Sequence, residues 1–304
     1  MNKPLRGIIP PLVTPLLDND TLDIEGLETL IEHTIKGGIN GIFILGTTGE
    51  FASLSYKIRI ELIERTCKLV DGRVPVLAGI SDSSFSESIN MARHATESGA
   101  DAVVLAPPYY FTSGQPELLE YLTRIMVKIP LPLFIYNMPL HTKVVFDPKT
   151  VKAAASIPGI IGIKDSSSDL AYLKAVQYEL RDHRDFTFLV GPEEFMSEFV
   201  LTGGHGGVNG GANLFPKLYV NLYNASVNRD FDTISRLQQT VMQVSSTIYK
   251  VGHHGSSYLK GLKCALSVAG ICNDFMAEPF HRFKEPERLK IKQLMDELNY
   301  RDLL

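Results

Sequence analysis

Cysteine is scarce in this chain: three cysteines occur among 304 residues, far apart from one another. They form no CxxC pair and no zinc-ligand spacing, and their odd number argues against a disulfide framework. Cys67 and Cys264 fall within apolar helical patterns, which predicts core positions for both, whereas Cys272 follows a predicted helix end. This usage is typical of a protein in a reducing environment, so we expect a cytoplasmic location.

Long apolar runs and strong charge are also missing. No uninterrupted apolar segment is long enough to span a bilayer. The first residues contain no apolar h-region and no cleavage site, so we expect neither a secretory signal nor a membrane partner. The formal net charge is −4, and no basic stripe stands out. Nucleic acid is therefore not expected as a partner.

Several catalytic motifs are absent as well. The eight histidines are scattered without an HxH or HExxH pattern, and the pair His253–His254 lies between glycines in a predicted loop. Neither a GxSxG elbow nor a Walker A loop is present. The sequence thus predicts no metal and no cofactor, and it gives no support to a metal-dependent aldolase or hydrolase.

What the chain does contain is a regular alternation of short apolar runs and amphipathic stretches. Runs bounded by Gly, Pro, Asn or Asp predict eight strands, at Gly7–Pro15, Gly41–Leu45, Val74–Ile80, Asp101–Ala106, Pro132–Asn137, Ile160–Lys164, Phe186–Gly191 and Gly206–Asn209. Helical patterns follow them near 24–37, 55–70, 85–98, 116–128, 148–156, 168–181, 194–202 and 216–227.

Eight strand–helix units predict an α/β fold, a (β/α)8 TIM barrel over residues 1–227. Residues 228–304 carry only helical patterns, near 229–249, 256–270 and 286–298, and predict a C-terminal helical domain. The rival architecture is a doubly wound open sheet with a phosphate loop after its first strand. The segment after the first strand here, Leu16–Asp20, has no glycine, which disfavours that rival.

A lysine ends the sixth predicted strand, where Lys164 precedes Asp165. Lysine is rarely buried without a partner, because removing water from its ammonium group is costly. Desolvation lowers the lysine pKa and frees a neutral amine that can attack a carbonyl carbon. The alternative interpretation is a strand-end lysine whose side chain extends to solvent.

Other polar groups follow the strand ends, where barrels of this kind place their active sites. Gly46-Thr47-Thr48-Gly49 can supply hydroxyl and backbone N–H donors to a carboxylate, and Tyr136 can pass protons. Each has a plainer interpretation: a tight turn for the first and a core aromatic for the second. Tyr109 and Tyr110 are equally readable as a surface pair, and Gly203–Gly211 as a phosphate cradle or as room for packing.

Three motifs together resemble the dihydrodipicolinate synthase / N-acetylneuraminate lyase family: Gly46-Thr47-Thr48-Gly49-Glu50, Tyr136-Asn137-Met138-Pro139 and Gly162-Ile163-Lys164-Asp165. They occur in the family's order, at barrel-strand spacing, over nearly the whole chain. The resemblance implies a (β/α)8 barrel with a helical C-terminal domain, assembled as a homotetramer that is a dimer of dimers. It also implies a lysine Schiff base with pyruvate or another 2-oxo acid, formed without a metal.

The resemblance assigns a role to each matching residue. It makes Lys164 the imine lysine, Tyr136 the proton-relay phenol and Thr47 the relay hydroxyl. Thr48 takes the carboxylate-binding position, flanked by Gly46 and Gly49. Three further positions match those of the tyrosine that reaches into a neighbouring subunit and of the pyruvate pocket lining: Tyr110, Gly191 and Val208.

Two residues depart from the synthase pattern. His141 stands where the synthases have an arginine that holds the second substrate's carboxylate, and Lys143 stands where glycine is frequent. A histidine does not reproduce the bidentate fork of arginine. We therefore favour cleavage of a 2-keto-3-deoxy sugar acid to pyruvate and an aldehyde, with His141 among the substrate-binding residues, and Gly49-Glu50-Phe51 is also reminiscent of that branch. The alternatives are a synthase that condenses pyruvate with an amino aldehyde and a barrel that binds such acids without turnover.

Overall fold

Eight parallel strands form the centre of the molecule in the computed structural model, which describes residues 4–304. In chain order they are β1 Gly7–Ile8, β2 Ile42–Ile44, β3 Val76–Gly79, β4 Ala102–Leu105, β5 Leu133–Asn137, β6 Ile160–Asp165, β7 Thr187–Val190 and β8 Gly206–Gly207. Consecutive strands are neighbours from β2 to β8, and β8 pairs with β1. Main-chain bonds from Leu12 N to Phe43 O (2.8 Å) and from Phe43 N to Pro10 O (3.0 Å) join the segment just after β1 to β2. The ring is therefore closed, as the strand count predicted.

A helix follows each strand and covers the outside of the ring. These helices are α1 Ile24–Lys36, α2 Tyr56–Val70, α3 Phe85–Glu97, α4 Gln115–Met126, α5 Pro148–Ala155, α6 Leu170–Glu179, α7 Met196–Leu201 and α8 Pro216–Asn228. Side chains of Asp23, Ser55, Ser84 and Asp169 accept from backbone N–H groups in the first turns of α1, α2, α3 and α6. The predicted (β/α)8 barrel is confirmed.

The last part of the chain is helical, as predicted, with α9 Phe231–Thr247, α10 Ser257–Val268, α11 Glu285–Glu297 and α12 Tyr300–Leu303. α9 packs against α8, and α10 packs against the turn Ile248–Lys250. Cys264 of α10 is fully buried, whereas Cys67 and Cys272 are partly buried. No helix within residues 4–304 has both the length and the apolar character that crossing a membrane requires.

Side chains alternate between two cores because successive residues of a strand point to opposite faces. Leu133 and Ile135 of β5 join the large core between the strands and helices. Phe134 and Tyr136 of the same strand join a smaller cluster inside the ring. Tyr136 pairs in register with Lys164 of β6, so the two lie side by side at the carboxyl ends of their strands.

Several short elements were not predicted, among them a hairpin of Leu16–Asp18 with Thr21–Leu22, a helical turn Pro139–Thr142, and α12. The first strand is also shorter than expected, ending at Ile8 rather than at Pro15. Prolines 10, 11 and 15 explain that difference, because proline has no N–H to donate to a strand ladder. The sixth strand, in contrast, extends one residue beyond Lys164 to Asp165.

Candidate active site

Lys164 is buried inside the ring, with 4% of its surface exposed. Its Nζ lies 4.2 Å from the centre of the Tyr136 ring and 4.7 Å from the centre of the Phe43 ring. Burial lowers the pKa of Lys164, and the nearby Tyr136 and Asp165 oppose this only in part. The plainer interpretation of a lysine that reaches solvent is therefore wrong, and the geometry provides a desolvated amine.

The neighbouring carboxylate, Asp165, is occupied by hydrogen bonds. Its Oδ1 accepts from Asn137 Nδ2 at 2.7 Å, and its Oδ2 accepts from Ser167 N at 3.1 Å and Ser167 Oγ at 2.8 Å. Asn137 Oδ1 accepts in turn from Phe146 N at 3.1 Å. This network fixes the ends of β5 and β6 and holds the Asp165 carboxylate in bonds to other groups, so Lys164 has no ion-pair partner there.

Tyr136 and Thr47 are brought together across the ring. The Tyr136 hydroxyl lies 3.3 Å from Thr47 Oγ1, although 89 positions separate them in sequence. Tyr136 is buried, but it also lines a cavity at the mouth of the barrel. It is therefore a core aromatic whose hydroxyl remains positioned for proton transfer, between a buried amine and a second hydroxyl.

The segment Gly46–Gly49 is a tight turn with free donors. Gly49 N donates to Gly46 O at 3.1 Å, which closes the turn. A side chain at Gly46 would place its Cβ 2.6 Å from the Phe43 ring, so only glycine fits there. The backbone N–H groups of Thr47 and Thr48 donate to no acceptor within residues 4–304. Two adjacent free N–H groups are the kind of concavity that binds anions.

The second threonine of the turn is held by the C-terminal region. Thr48 Oγ1 lies 3.0 Å from the hydroxyl of Tyr258, a residue of α10. The next residue but one, Glu50, accepts from Lys263 Nζ at 2.7 Å and from Ala277 N at 2.9 Å. Lys263 also donates to Thr14 O at 2.9 Å. The turn is thus clamped to α10 by one hydroxyl pair and one buried ion pair.

A cavity of about 330 Å³ opens above the turn and Tyr136. It is lined by residues from the barrel loops and from the C-terminal region: Thr47, Glu50, Phe51, Ala52, Ser53, Ala106, Tyr109, Tyr136, Met138, His141, Thr142, Gly255, Ser256, Tyr258, Leu259 and Phe280. Most of these side chains are apolar or carry neutral hydroxyl groups. Its acidic residue, Glu50, is neutralised by Lys263, and among residues 4–304 no lysine or arginine lines the cavity.

His141 and Lys143, the two departures from the synthase pattern, differ in whether they line the cavity. His141 lines the cavity, and partial desolvation together with Lys143 lowers its pKa. A neutral imidazole can donate and accept single hydrogen bonds. Lys143 is not part of the lining, because its Nζ donates to the Leu140 carbonyl at 2.7 Å. His141 is therefore the one positioned toward a ligand in the cavity.

Gly191 directly follows β7 and Val208 directly follows β8, so both lie at the same end of the barrel as Lys164. Gly191 N donates to Asp165 O at 2.7 Å, and a Cβ there would lie 2.2 Å from Ser166 Oγ. Val208 is buried in the cluster inside the ring, together with Tyr136. Neither residue lines the 330 Å³ cavity, so within this chain they shape the interior around the amine rather than the mouth.

Tyr110 lies away from the other predicted site residues of its own chain. It is 89% exposed, and its ring packs edge to face against Phe111, which is 82% exposed. Its φ of 95° is in the left-handed region, which is rare for a residue with a side chain. The adjacent Tyr109 lines the cavity instead and packs edge to face on Phe51, 6.2 Å between ring centres.

The glycines at the end of the eighth strand provide room for aromatic hydroxyls. A Cβ on Gly210 would lie 1.7 Å from the Tyr258 hydroxyl, and one on Gly211 would lie 1.9 Å from the Tyr219 hydroxyl. The packing interpretation of this stretch is therefore the one that the structure supports. The sequence reasoning did not identify Tyr258, because nothing in the local helical pattern around it indicates that it meets Thr48.

The chain matches a model of the dihydrodipicolinate synthetase family over residues 4–298. It is 31% identical over 290 residues to 4-hydroxy-tetrahydrodipicolinate synthase of Phenylobacterium zucineum, covering 95% of this chain and 96% of that protein. It is also 31% identical over 295 residues to YagE of Escherichia coli, named as a putative 2-dehydro-3-deoxy-D-gluconate aldolase, with 96% of each chain covered.

Solved structures agree with these relatives. A structure described as dihydrodipicolinate synthase from Bacteroides thetaiotaomicron is 60% identical, with a TM-score of 0.96, and the match covers 98% of this chain and all (100%) of that one. The crystal structure of Escherichia coli YagE in complex with pyruvate has a TM-score of 0.92 at 31% identity, covering 98% of this chain and 99% of that one. The matches extend through the C-terminal helices as well as the barrel.

Proposed function

This chain belongs to the dihydrodipicolinate synthetase family, and we propose that it is a class I lyase that cleaves a 2-keto-3-deoxy sugar acid to pyruvate and an aldehyde. The observation that carries the proposal is the buried Lys164, whose pKa is lowered by desolvation and whose Nζ lies inside the ring beside Tyr136, a residue that lines the cavity. The neutral amine is the form that attacks a carbonyl. The structure of YagE with pyruvate supports a 2-oxo acid as the ligand.

The first half of the reaction forms the imine. The neutral Nζ of Lys164 attacks the C2 carbonyl carbon of the 2-oxo acid, its nitrogen loses a proton, and the carbonyl oxygen gains one. A second proton, from the Tyr136 hydroxyl, lets that oxygen leave as water, which leaves a protonated imine and a deprotonated Tyr136. The Tyr136 hydroxyl gives and accepts these protons, with Thr47 Oγ1 at 3.3 Å as the next group in the relay.

The second half breaks a carbon–carbon bond. The C4 hydroxyl loses its proton to the Tyr136 oxygen, the C3–C4 bond breaks, and its electron pair moves into the imine to give an enamine and an aldehyde. C3 then takes a proton, and water hydrolyses the imine to release pyruvate and the amine. The free N–H groups of Thr47 and Thr48 bind the carboxylate throughout, because they donate to no acceptor among residues 4–304.

The character of the cavity supports a sugar acid over an amino aldehyde that bears a carboxylate. No lysine or arginine of residues 4–304 lines the cavity, so a second carboxylate would have no cationic partner there. Hydroxyl-bearing side chains and His141 offer single hydrogen bonds to the hydroxyl groups of a neutral aldehyde. Tyr109, Phe51 and Phe280 can pack against the C–H faces of its chain.

A trapping and turnover experiment tests the proposal. Reduction with borohydride in the presence of pyruvate is expected to add a pyruvate-derived mass to the peptide that contains Lys164 and to no other. Release of pyruvate from 2-keto-3-deoxy sugar acids is then measured with the untreated enzyme. An adduct without turnover of any such acid would favour the barrel that binds without catalysis, and no adduct at all would reject the mechanism.

A second candidate is the synthase reaction, in which the pyruvate enamine condenses with an amino aldehyde. The 60% identical structure described as a dihydrodipicolinate synthase favours it. Consumption of pyruvate with an amino aldehyde, measured beside the cleavage assay, decides between the two. We expect cleavage to be faster, and His141→Arg to shift the preference toward the carboxylate-bearing aldehyde by about tenfold, the effect of one charge-assisted bond.

We also propose an assembly and a location. The exposed pair Tyr110 and Phe111 forms an apolar protrusion that fits burial against a second subunit, and a homotetramer built as a dimer of dimers would place Tyr110 at a neighbour's site. The barrel, residues 1–227, and the helical domain, 228–304, are proposed as the two units of each subunit, in the cytoplasm. Sedimentation of the wild type and of Tyr110→Ser tests the assembly, since loss of the ring should weaken it.

A further inference from the structure

A further buried acidic group lies close to the proposed site and has no part in the reaction described so far. Glu193 follows β7 and is buried, with 4% of its surface exposed. Its Oε1 accepts from the hydroxyl of Tyr219 at 2.6 Å and from that of Tyr249 at 3.0 Å. Its Oε2 accepts from Gly211 N at 2.9 Å. One carboxylate therefore joins the end of β7, helix α8, the turn after α9, and the segment after β8.

Two routes lead from this carboxylate to the groups proposed to bind the 2-oxo acid. On the first, Tyr249 packs edge to face on Tyr258 with 4.8 Å between ring centres, and the Tyr258 hydroxyl lies 3.0 Å from Thr48 Oγ1. On the second, the bond to Gly211 fixes the segment just beyond Val208, whose side chain is buried inside the ring. Gln238 of α9 adds a donor to the Glu194 carbonyl at 2.9 Å and steadies the same turn.

We propose that Glu193 is a positioning residue, which through Tyr249, Tyr258 and Gly211 holds Thr48 and the end of β8 in the arrangement that binds the carboxylate of the 2-oxo acid. This inference rests on the proposed function, because it assigns Thr48 to that carboxylate. The clustered tyrosine hydroxyls could pair without an acidic residue. The observed arrangement directs three donors at one carboxylate, so both of its oxygens must act as acceptors.

The protonation state of Glu193 matters to this arrangement. Ionised, it accepts three charge-assisted bonds; protonated, the carboxyl is neutral, one of its oxygens becomes a donor, and all three bonds lose their charge assistance. Burial raises the pKa of Glu193 to about 7, with Glu194 nearby acting in the same direction. The other titratable groups that face it are Tyr219, Tyr249 and Tyr258, and burial raises the pKa of each, so they stay protonated near neutral pH.

The test measures the pyruvate concentration that gives half-maximal borohydride trapping on Lys164. At pH 8 we expect Glu193→Gln to raise it about tenfold, the effect of losing one charge-assisted bond, with trapping at saturation unchanged. At pH 5.5 the ratio of variant to wild type should approach one, because the wild-type carboxyl is then also neutral. Glu194→Gln is the matched control, because its side chain is exposed, and it should behave like the wild type.

A ratio of one at pH 8, or a tenfold ratio that does not change with pH, would overturn the positioning role. If Glu193→Gln does not fold, Tyr249→Phe carries the test, since it keeps the ring and removes one donor. A rise of about threefold or more at pH 8 supports the proposal, and wild-type behaviour overturns it. Wild-type protein that forms no adduct at any pyruvate concentration would reject the proposed function itself, and the two failures are thus distinguishable.

Discussion

Two of the buried lysines, Lys164 and Lys263, have opposite surroundings. Lys263 lies between the barrel and α10, fully buried, with its Nζ 2.7 Å from Glu50 Oε1 and 2.9 Å from Thr14 O. Lys164 lies inside the ring against two aromatic faces, and no salt bridge within residues 4–304 includes it. Burial with a counter-charge makes a structural clamp, whereas burial without one favours the neutral amine that the proposed reaction requires.

The largest expected effect is the loss of the unpaired amine. Lys164→Met keeps an apolar stem of similar length, so we expect the protein to remain folded while pyruvate release falls by at least roughly 10³-fold. Steady-state pyruvate release and borohydride trapping measure this. Lys174→Met, on α6 and only partly buried, is the control and should retain activity. Wild-type turnover by the Lys164→Met enzyme would show that the unpaired buried lysine is not the nucleophile.

Replacing Lys263, the lysine with an ion-pair partner, should lower the stability of the protein rather than its activity. Lys263→Met leaves Glu50 charged, buried and short of its partner, which costs about 3–5 kcal/mol of unfolding free energy. Denaturant unfolding measures the loss. Lys263→Met combined with Glu50→Gln removes both charges and should recover part of it, because neutral pairs carry a smaller desolvation penalty. Unchanged stability in the single variant would show that the ion pair is not a clamp.

A counter-charge placed beside Lys164 tests whether the lack of one there matters for the reaction. Leu189 of β7 pairs in register with Lys164 and is buried in the cluster inside the ring, so its side chain is a neighbour of Lys164 on the inner face. Leu189→Glu is expected to raise the pKa of Lys164 and to slow imine formation at pH 7 by about tenfold for each unit of the rise. Leu189→Gln controls for size and polarity. Equal rates in the two variants would show that the charge state of Lys164 does not limit the reaction.

The smallest effect is on the pH dependence of stability. The pKa of Lys164 is lowered in the folded protein from its ordinary value of 10.5. At a pH between the lowered pKa and 10.5, the unfolded chain therefore binds more protons than the folded one. The unfolding free energy of the wild type relative to Lys164→Met should therefore rise with pH across that interval. Denaturant titrations from neutral to alkaline pH test the sign. A fall with pH would mean that folding stabilises the charged form instead.

The sequence was sufficient for the barrel and for the lysine, because both depend on local pattern. Each strand is a short apolar run between turn residues, and Lys164 is a polar residue at the end of such a run. The motif spacing also brought Tyr136 and Thr47 to the same mouth, where their hydroxyls lie 3.3 Å apart. Glycine at position 46 was needed for a reason that the sequence does not contain, namely the Phe43 ring beneath it.

Contacts between distant segments were not predictable from the sequence. Tyr258 meets Thr48 across 210 positions, and Lys263 meets Glu50 across 213. Both residues read as ordinary members of an amphipathic helix until the packing of α10 on the barrel is known. The polar role of Glu193 was missed for the same reason, since its partners Tyr219 and Tyr249 come from two later elements.

The clamp between Glu50 and Lys263 limits how this architecture can be recombined. A chimaera could be built by exchanging the last 77 or so residues for those of a relative. The exchange would replace α10 and with it the contacts that α10 makes to the barrel turn. Such a hybrid should keep the shape of the Gly46–Gly49 turn only if the residues at positions 48 and 50 are transferred together with those at positions 258 and 263. Five of the 16 residues that line the cavity lie outside the barrel, and so do the two residues that hold the turn, Tyr258 and Lys263.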